Sequence, residues 1–219
     1  DLENVLLALK SRIKENTEII PLLNGVDIPN RIRHVIQKGR VYPACVYVGT
    51  HIERPVVVTQ NGGSCTILFG KDPLYPESKP EELMNLMSEA DIRYEWHENC
   101  QIEIWKKYLF IASCGLVTTA YNQTLGQLDE NDELKKLTIE VIKEMVALAR
   151  MEGVLLEENV IKETIEKLKT FPYETKTSFH RDYEKGGKGE RELFGGAMLQ
   201  LAQKYHVRMP HIEAVYRLL

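Results

Sequence analysis

The sequence predicts a mixed α/β segment over residues 1–98 followed by an all-α segment over residues 99–219. Three observations carry this. β-favouring runs separated by turn residues crowd the first hundred positions, and helical periodicity takes over after them. Between the two lies WKKYLFIASCGLVTTAYNQTLG, Trp105 to Gly126, with no charged residue from Tyr108 to Tyr121. Trp105, Tyr108, Leu109, Ala112 and Leu116 share one face of that helix, while Phe110 and Val117 lie well off it. A helix apolar nearly all round is a buried helix.

The elements follow in order. The chain opens at Asp1 directly in a helical pattern, without methionine, and is expected to lack its natural start. Thr17 to Leu22 reads as a strand ending in an Asn24-Gly25 turn. Arg40 to Thr50 contains the β-favouring run VYPACVYVG. Pro55 to Gln60 and Cys65 to Phe69 flank Asn61-Gly62-Gly63, which reads as a hairpin. A helix is expected near 79–90 and a short strand over 92–96. Asn131-Asp132-Glu133 opens a long amphipathic helix that Gly153 closes. Asn159 to Thr170 is the next helix, and a loop around Phe171-Pro172 leads to a polar helix from about Thr177. Gly186-Gly187-Lys188-Gly189 then connects to Glu190 and a helix reaching about Tyr205. Pro210 starts the last helix. The second half is thus expected to pack as a helical domain around the 101–121 helix.

Composition excludes several functions. A formal net charge of -4 argues against nucleic-acid binding, which favours a basic face. Cys45, Cys65, Cys100 and Cys114 are scattered without a CxxC pair, which reads as reduced intracellular thiols. The histidines show no metal-ligand spacing, so no metal is expected. The longest uncharged run is too short to span a bilayer, and no signal peptide is read at the start. The expected location is cytoplasmic.

A few residues stand out, each with an ordinary reading beside a chemical one. Lys107 lies in the apolar helix on the side that carries Ile111, Cys114 and Thr118. Its ordinary reading is a lysine whose head reaches water at the helix edge; its chemical reading is a cleft-lining proton donor. Lys106 is of the ordinary kind. Glu190 follows a glycine-rich loop and reads by default as a first-turn glutamate. The GGKG run lacks the spacing of a phosphate loop. Ser178 reads by default as an N-cap or surface residue. His180 and Asp182 lie near it, but no GxSxG elbow supports a nucleophilic triad. Asn24 reads by default as a turn residue.

Taken in order, these pieces resemble the ketopantoate reductase family (2-dehydropantoate 2-reductase). The matching segments are IIPLLNGVD (19–27), VYVG (46–49), the GG turn with ILFG, IEIWKKYLF (102–110), LGQL (125–128), KTSFHRDYEKGGKGERE (176–192) and GGAMLQLAQKYHVRMP (195–210). The resemblance implies the C-terminal strands of a Rossmann dinucleotide-binding domain over 1–98. It implies a helical substrate-binding and dimerisation domain, similar to that of 6-phosphogluconate dehydrogenase, over 99–219. It also implies NADP as cofactor and NADPH-dependent reduction of a 2-oxo acid, 2-dehydropantoate to pantoate, on the way to pantothenate. By the same resemblance Lys107 is the proton donor, Ser178 and Asn24 hold the substrate, and Asn24, Gly49 and Glu190 contact the cofactor. The implied partners are a small 2-oxo acid and, in keeping with the apolar helical part, a second copy in a homodimer; neither nucleic acid nor membrane is expected.

The chain departs from the family pattern in three places. Ile111 and Gly115 stand where the family often places asparagines one and two turns after the lysine. Thr175 stands where an asparagine precedes the serine. No GxGxxG follows a strand, and that fingerprint, which holds the pyrophosphate, is expected to precede Asp1. Two alternatives therefore stand beside ketopantoate reduction. One is a reductase of a different 2-oxo acid. The other is a non-catalytic helical dimerisation module.

Overall fold

The computed structural model describes residues 2–60, 62, 64–187 and 189–219. It divides into two units, Asp1–Ile104 and Trp105–Leu219, with the division inside one long helix.

The first unit is α/β. Helix α1 spans Leu2–Leu9. Strand β1 (Glu18–Ile19) pairs in parallel with β2 (Arg40–Val41), in the register Ile19↔Val41. Parallel neighbours need a crossover, and α2 (Ile28–Val35) supplies it. That helix is absent from the elements expected above. Its signal is Ile28, Ile32 and Ile36, four apart and all buried, with a proline in the first turn. The strand expected over 17–22 is correspondingly shorter.

Strand β6 (Thr66–Gly70) lies between β3 (Ala44–Tyr47) and β7 (Tyr94–His97), antiparallel to the first and parallel to the second. Alternate residues feed two cores. Ala44, Ile67 and Phe69 join Tyr42 and Met87 on one face, where Trp96 stands edge-on to Phe69 at 5.4 Å. Cys45 and Leu68 join Cys100 and Ile104 on the other. Helix α3 (Glu81–Glu89) supplies Met87.

One expectation is overturned. The segment 55–60 does not form a hairpin with 65–69. Strand β5 (Val57–Gln60) pairs instead with β4 (Thr50–Arg54), Ile52 opposite Val58, around a turn at Pro55-Val56. Asn61 and Gly63, the core of the expected turn, lie outside the described residues. The physical reason is burial. Ile67, Leu68 and Phe69 are all buried, so β6 needs cover on both faces and sits inside a sheet. Strand β5 alternates half-buried with exposed and takes an equally exposed partner.

Asp72 is buried just after β6. Its carboxylate accepts from the Val41 N–H at 2.7 Å and the Leu74 N–H at 3.0 Å, and it pairs with the Arg33 guanidinium. A buried charge is tolerated when it is paired and hydrogen-bonded in this way, and here it ties α2 to β2.

The second unit is all-α. Helix α4 (Cys100–Ala120) runs through its core, with Leu109, Ala112, Leu116 and Val117 fully buried. Thr124 opens α5 (Leu125–Glu130) through a capping box with Gln127. Asn131 caps α6 (Asp132–Met151) by accepting from the Glu133 and Leu134 N–H groups. Gly153, at φ +78°, follows it in the left-handed region that closes helices. Next come α7 (Val160–Glu166) with a tighter turn over Lys167–Thr170, and α8 (Ser178–Glu184). Then α9 (Gly189–Arg191) leads into a π turn over Glu192–Gly196 and on into α10 (Ala197–Lys204). The last helix, α11 (Pro210–Arg217), has its N-terminus held by Glu144 of α6, whose carboxylate accepts from the His211 and Ile212 N–H groups at 2.9 Å each. Among the described residues no helix is long and apolar enough to cross a membrane.

The LGQL segment has a structural reason for its glycine. The N–H groups of Leu125 and Gly126 donate to the carbonyls of Thr175 and Tyr173, at 2.8 and 3.0 Å. A Cβ on Gly126 would lie 2.2 Å from the Tyr173 ring and 2.7 Å from the Tyr173 Cα. Gly126→Ala is therefore expected to destabilise the protein by about 1–3 kcal/mol, as overpacking does, and to loosen the loop that leads into α8. Thermal unfolding of the variant, with proteolysis sites mapped in residues 171–177, checks both.

Candidate functional site

Lys107 sits half-buried on α4, between the buried residues Trp105 and Tyr108. Lys106 beside it points to the carboxylate of Glu157, 3.9 Å away.

Tyr108, the next residue, fixes the surroundings of Lys107. Its hydroxyl donates between the carbonyls of Leu193 (2.8 Å) and Phe194 (2.9 Å). Both belong to the π turn, whose wider spacing frees carbonyls from the regular helical pattern. Gly195 in that turn has the Tyr216 ring 2.3 Å from where a Cβ would stand, so a side chain there has no room.

An aromatic ladder extends this contact. Trp105 stands edge-on to Tyr108 (6.0 Å), Tyr108 to Phe194 (5.9 Å), Phe194 to Phe179 (5.7 Å), and Phe179 to Tyr183 (6.0 Å). Offset and edge-on rings add about 0.5–1.5 kcal/mol per pair beyond area burial. The ladder joins the neighbour of Lys107, the turn that follows Glu190, and the neighbour of Ser178. Three of the candidate residues thus lie on segments that pack together. Gly115 faces the same rings, with Phe179 and Phe194 each 3.5 Å from its Cβ position.

Ser178 is the first residue of α8 and is exposed. The cap is Thr177, whose side chain accepts from the His180 N–H. Glu190 lies half-buried in α9, immediately before the π turn. Sequence reasoning misses His180 and Asn122 as a pair. His180 is buried, and its Nε2 lies 3.0 Å from the Asn122 Oδ1. With a carbonyl oxygen as partner, Nε2 carries the hydrogen. Burial lowers the His180 pKa and Lys176 lowers it further, while Glu184 and the Gln123 backbone act in the opposite sense. Nothing in the sequence marks this pair; in the structure Asn122 adopts φ +51°, a conformation asparagine tolerates. Asp182 is exposed. The Thr118 hydroxyl donates back to the Cys114 carbonyl at 2.6 Å, so it is turned into its own helix.

Asn24 and Gly49 belong to the first unit. Asn24 is half-buried beyond the end of β1, and Gly25 after it has φ +127°, a conformation open to glycine alone. Gly49 lies between β3 and β4, its N–H donating to the Gly62 carbonyl at 3.2 Å. No group of three or more His, Cys, Asp or Glu side chains placed to hold a metal occurs among the described residues.

Comparison with known proteins fixes the family. The family model described as "Ketopantoate reductase PanE/ApbA C terminal" matches residues 99–219, and "Ketopantoate reductase PanE/ApbA" matches residues 1–73. The chain is 24% identical over 215 residues to the uncharacterized oxidoreductase YkpB of Bacillus subtilis (strain 168), covering 98% of this chain and 71% of that protein. It is similar in fold to a PanE/ApbA family ketopantoate reductase from Ralstonia eutropha JMP134. That match has a TM-score of 0.88 at 22% identity and covers 100% of this chain and 70% of the other. It is also similar to D-mandelate dehydrogenase solved with NADH and anilino(oxo)acetate. There the TM-score is 0.87 at 21% identity, over 99% of this chain and 71% of the other. The chain belongs to the ketopantoate reductase family and is an oxidoreductase of that kind.

Two outcomes are expected from the geometry. Tyr108→Phe leaves the buried Phe194 carbonyl and the part-buried Leu193 carbonyl without this donor and should cost about 1–3 kcal/mol, measured by denaturant unfolding. His180 gives a pH effect. Its folded-state pKa lies below the ordinary 6.5, so the unfolded chain takes up protons first as pH falls. Its contribution is present above about pH 6.5 and is lost as pH falls through the folded-state value. The slope of unfolding free energy between about pH 7 and pH 5 should be shallower in His180→Gln than in the unaltered protein.

Proposed function

We propose that this chain reduces the ketone of a 2-oxo acid to a hydroxyl, with NADPH as the nicotinamide cofactor and Lys107 as the proton donor. Lys107 carries the reading. It is the cation that opens a stretch uncharged from Tyr108 to Tyr121, and it is half-buried on a helix whose next residue is bonded to the turn after Glu190. The family and the NADH-containing relative support the cofactor class; NADPH is what the family resemblance implies. 2-Dehydropantoate, which names the family, is the reference substrate.

The residues present fit one end of such a cofactor. Asn24 offers an amide, and Gly25 at φ +127° lets the main chain approach a flat ring closely. The sequence has no GxGxxG, so these residues supply no cradle for a pyrophosphate. When bound, the nicotinamide supplies a hydride to the ketone carbon.

The protein's own work is electrostatic and positional. The Lys107 ammonium donates a hydrogen bond to the ketone oxygen, stabilises the negative charge that grows there, and passes it a proton from Nζ. Partial burial strengthens that interaction, because the surrounding rings and aliphatic groups screen charge poorly. Ser178 offers a hydroxyl to the substrate carboxylate. Asn24, Gly49 and Glu190 are assigned to the nicotinamide end of the cofactor, Asn24 serving the substrate as well.

Lys107→Ala in the natural protein should lower kcat/KM for 2-oxo acid reduction by about 10²- to 10⁴-fold, the range of a lost general acid. Cofactor binding, followed by fluorescence titration with NADPH, should hold. Turnover unchanged by the substitution would sink the assignment.

A further inference from the structure

We propose that His180 is a positioning residue for the substrate: tied to Asn122 at the end of α4, it fixes the first turn of α8 and so aims the Ser178 hydroxyl. The inference rests on the reading of Ser178 as a substrate contact. Ser178 is the exposed residue of the stretch 175–180, and the residues after it are held. The Thr177 hydroxyl accepts from the His180 N–H at 3.2 Å, which closes the turn around Ser178. Phe179 is buried in the aromatic ladder. The His180 ring, 2% exposed, reaches α4 through Nε2, 3.0 Å from the Asn122 Oδ1. Main chain and side chain of one residue thus grip the turn from two sides, and Ser178 lies between them.

The far end of this tie is fixed as well. Asn122 stands at φ +51°, and the Gln123 N–H donates to the Thr118 carbonyl at 2.8 Å. Other bonds of α8 lead elsewhere. Glu184 pairs with Lys176, Arg181 donates to the Lys176 carbonyl at 2.6 Å, and Tyr183 donates to the Leu219 carbonyl at 2.9 Å. Among the described residues, His180 to Asn122 is the hydrogen bond that joins α8 to α4. A hydroxyl bonded to a carboxylate works over about 2.5–3.0 Å and weakens steeply with poor alignment. Misplacing Ser178 by about 1 Å therefore removes much of the contact.

Neutral His180 suits this role and charged His180 does not. With Nε2–H given to Asn122, Nδ1 is buried and has no hydrogen-bond partner among the described residues. A proton on Nδ1 meets no acceptor there, which is costly in a buried place. Two charged groups face the ring: Glu184 on α8, 3.7 Å from Nε2, and Lys176 ahead of α8, already paired with Glu184. The end of α4 presents the Asn122 amide and the Gln123 backbone, which do not titrate. Burial first, then Lys176, hold the folded-state pKa below 6.5. The anchored form is complete above about pH 6.5 and is lost as pH falls through the folded-state value.

A double-mutant cycle on the natural protein tests this, with NADPH and whichever of 2-dehydropantoate and 3,3-dimethyl-2-oxobutanoate gives the higher kcat/KM. His180→Leu, which fills the space and removes the donor, should raise KM about 10- to 100-fold with kcat held within about threefold. His180→Gln, which can still donate to Asn122, should recover most of that loss. The KM of the unaltered protein should rise between about pH 7 and pH 5, and that of His180→Gln should not. In a Ser178→Ala background, His180→Leu should add less than about twofold, because nothing is left to position. Calorimetric titration with the 2-hydroxy acid product should repeat this pattern without turnover, while NADPH affinity stays within about twofold. An effect of His180→Leu that is absent, equal with and without Ser178, or shared by KM, kcat and NADPH binding would overturn the inference. Should His180→Leu fail to fold, the same acid rise in KM in His180→Gln as in the unaltered protein would also overturn it. Unchanged KM in Ser178→Ala would overturn the reading of Ser178 and this inference with it, leaving the role of Lys107 standing. No turnover of either acid would overturn 2-oxo acid reduction itself and this inference with it.

Discussion

The helical unit depends on the Tyr108 hydroxyl held between the carbonyls of Leu193 and Phe194. A π turn is rare because it leaves backbone groups out of the helical pattern. Here the groups are answered by a side chain 85 and 86 residues earlier in sequence. The turn displaces the register of the chain between Glu190 and α10, so the direction in which Glu190 leaves α9 is coupled to the residue beside Lys107. The aromatic ladder from Trp105 to Tyr183 extends the coupling to α8. Candidate residues that are far apart in sequence are thereby placed by one packed row of rings, a stiffer support than loops would provide.

Much of this is legible in the sequence, and the parts that are not share a cause. The buried helix from 100 to 120 announces itself through its uncharged run, and Asn131, Gly153 and Pro210 mark helix ends by local chemistry. Those signals need no knowledge of what lies across the fold. Strand pairing is different. Asn61-Gly62-Gly63 is a strong turn signal, yet β5 turns back onto β4 because the burial of Ile67, Leu68 and Phe69 commits β6 to β3 and β7. The π turn is equally hidden, since its cause is Tyr108. Only the Gly195-Gly196 pair hints at close packing there. Helix α2 escapes notice for a smaller reason. Its apolar stripe is three isoleucines in a polar segment with a proline, easily passed over as loop.

The candidate site divides in the same way. Lys107 is visible as a charge out of place, and the role proposed for it rests on the family resemblance. His180 and Asn122 give no such sign, because a buried histidine bonded to an amide looks in sequence like any polar pair on two helices. Their bond joins the end of α4 to the first turn of α8 and sets the distance over which Ser178 is carried relative to that helix end. The Leu125 and Gly126 N–H groups, bonded to the segment just before α8, add a second fixed point. Ser178 is exposed and free of the core, but the segment that presents it is anchored on both sides.

The apolar character of α4 has two consequences that cannot be separated. A helix that is to be covered on every side must satisfy its polar side chains internally, and Ser113 and Thr118 do so by bonding back to their own backbone. The same economy removes donors from the side of the helix that carries Lys107. An amide at position 115 would have to enter the space now taken by Phe179 and Phe194, and so would compete with the rings that hold α8 and the π turn in place. In this chain the ladder occupies the space, so a larger side chain at position 115 is expected to disturb α8 and the π turn together.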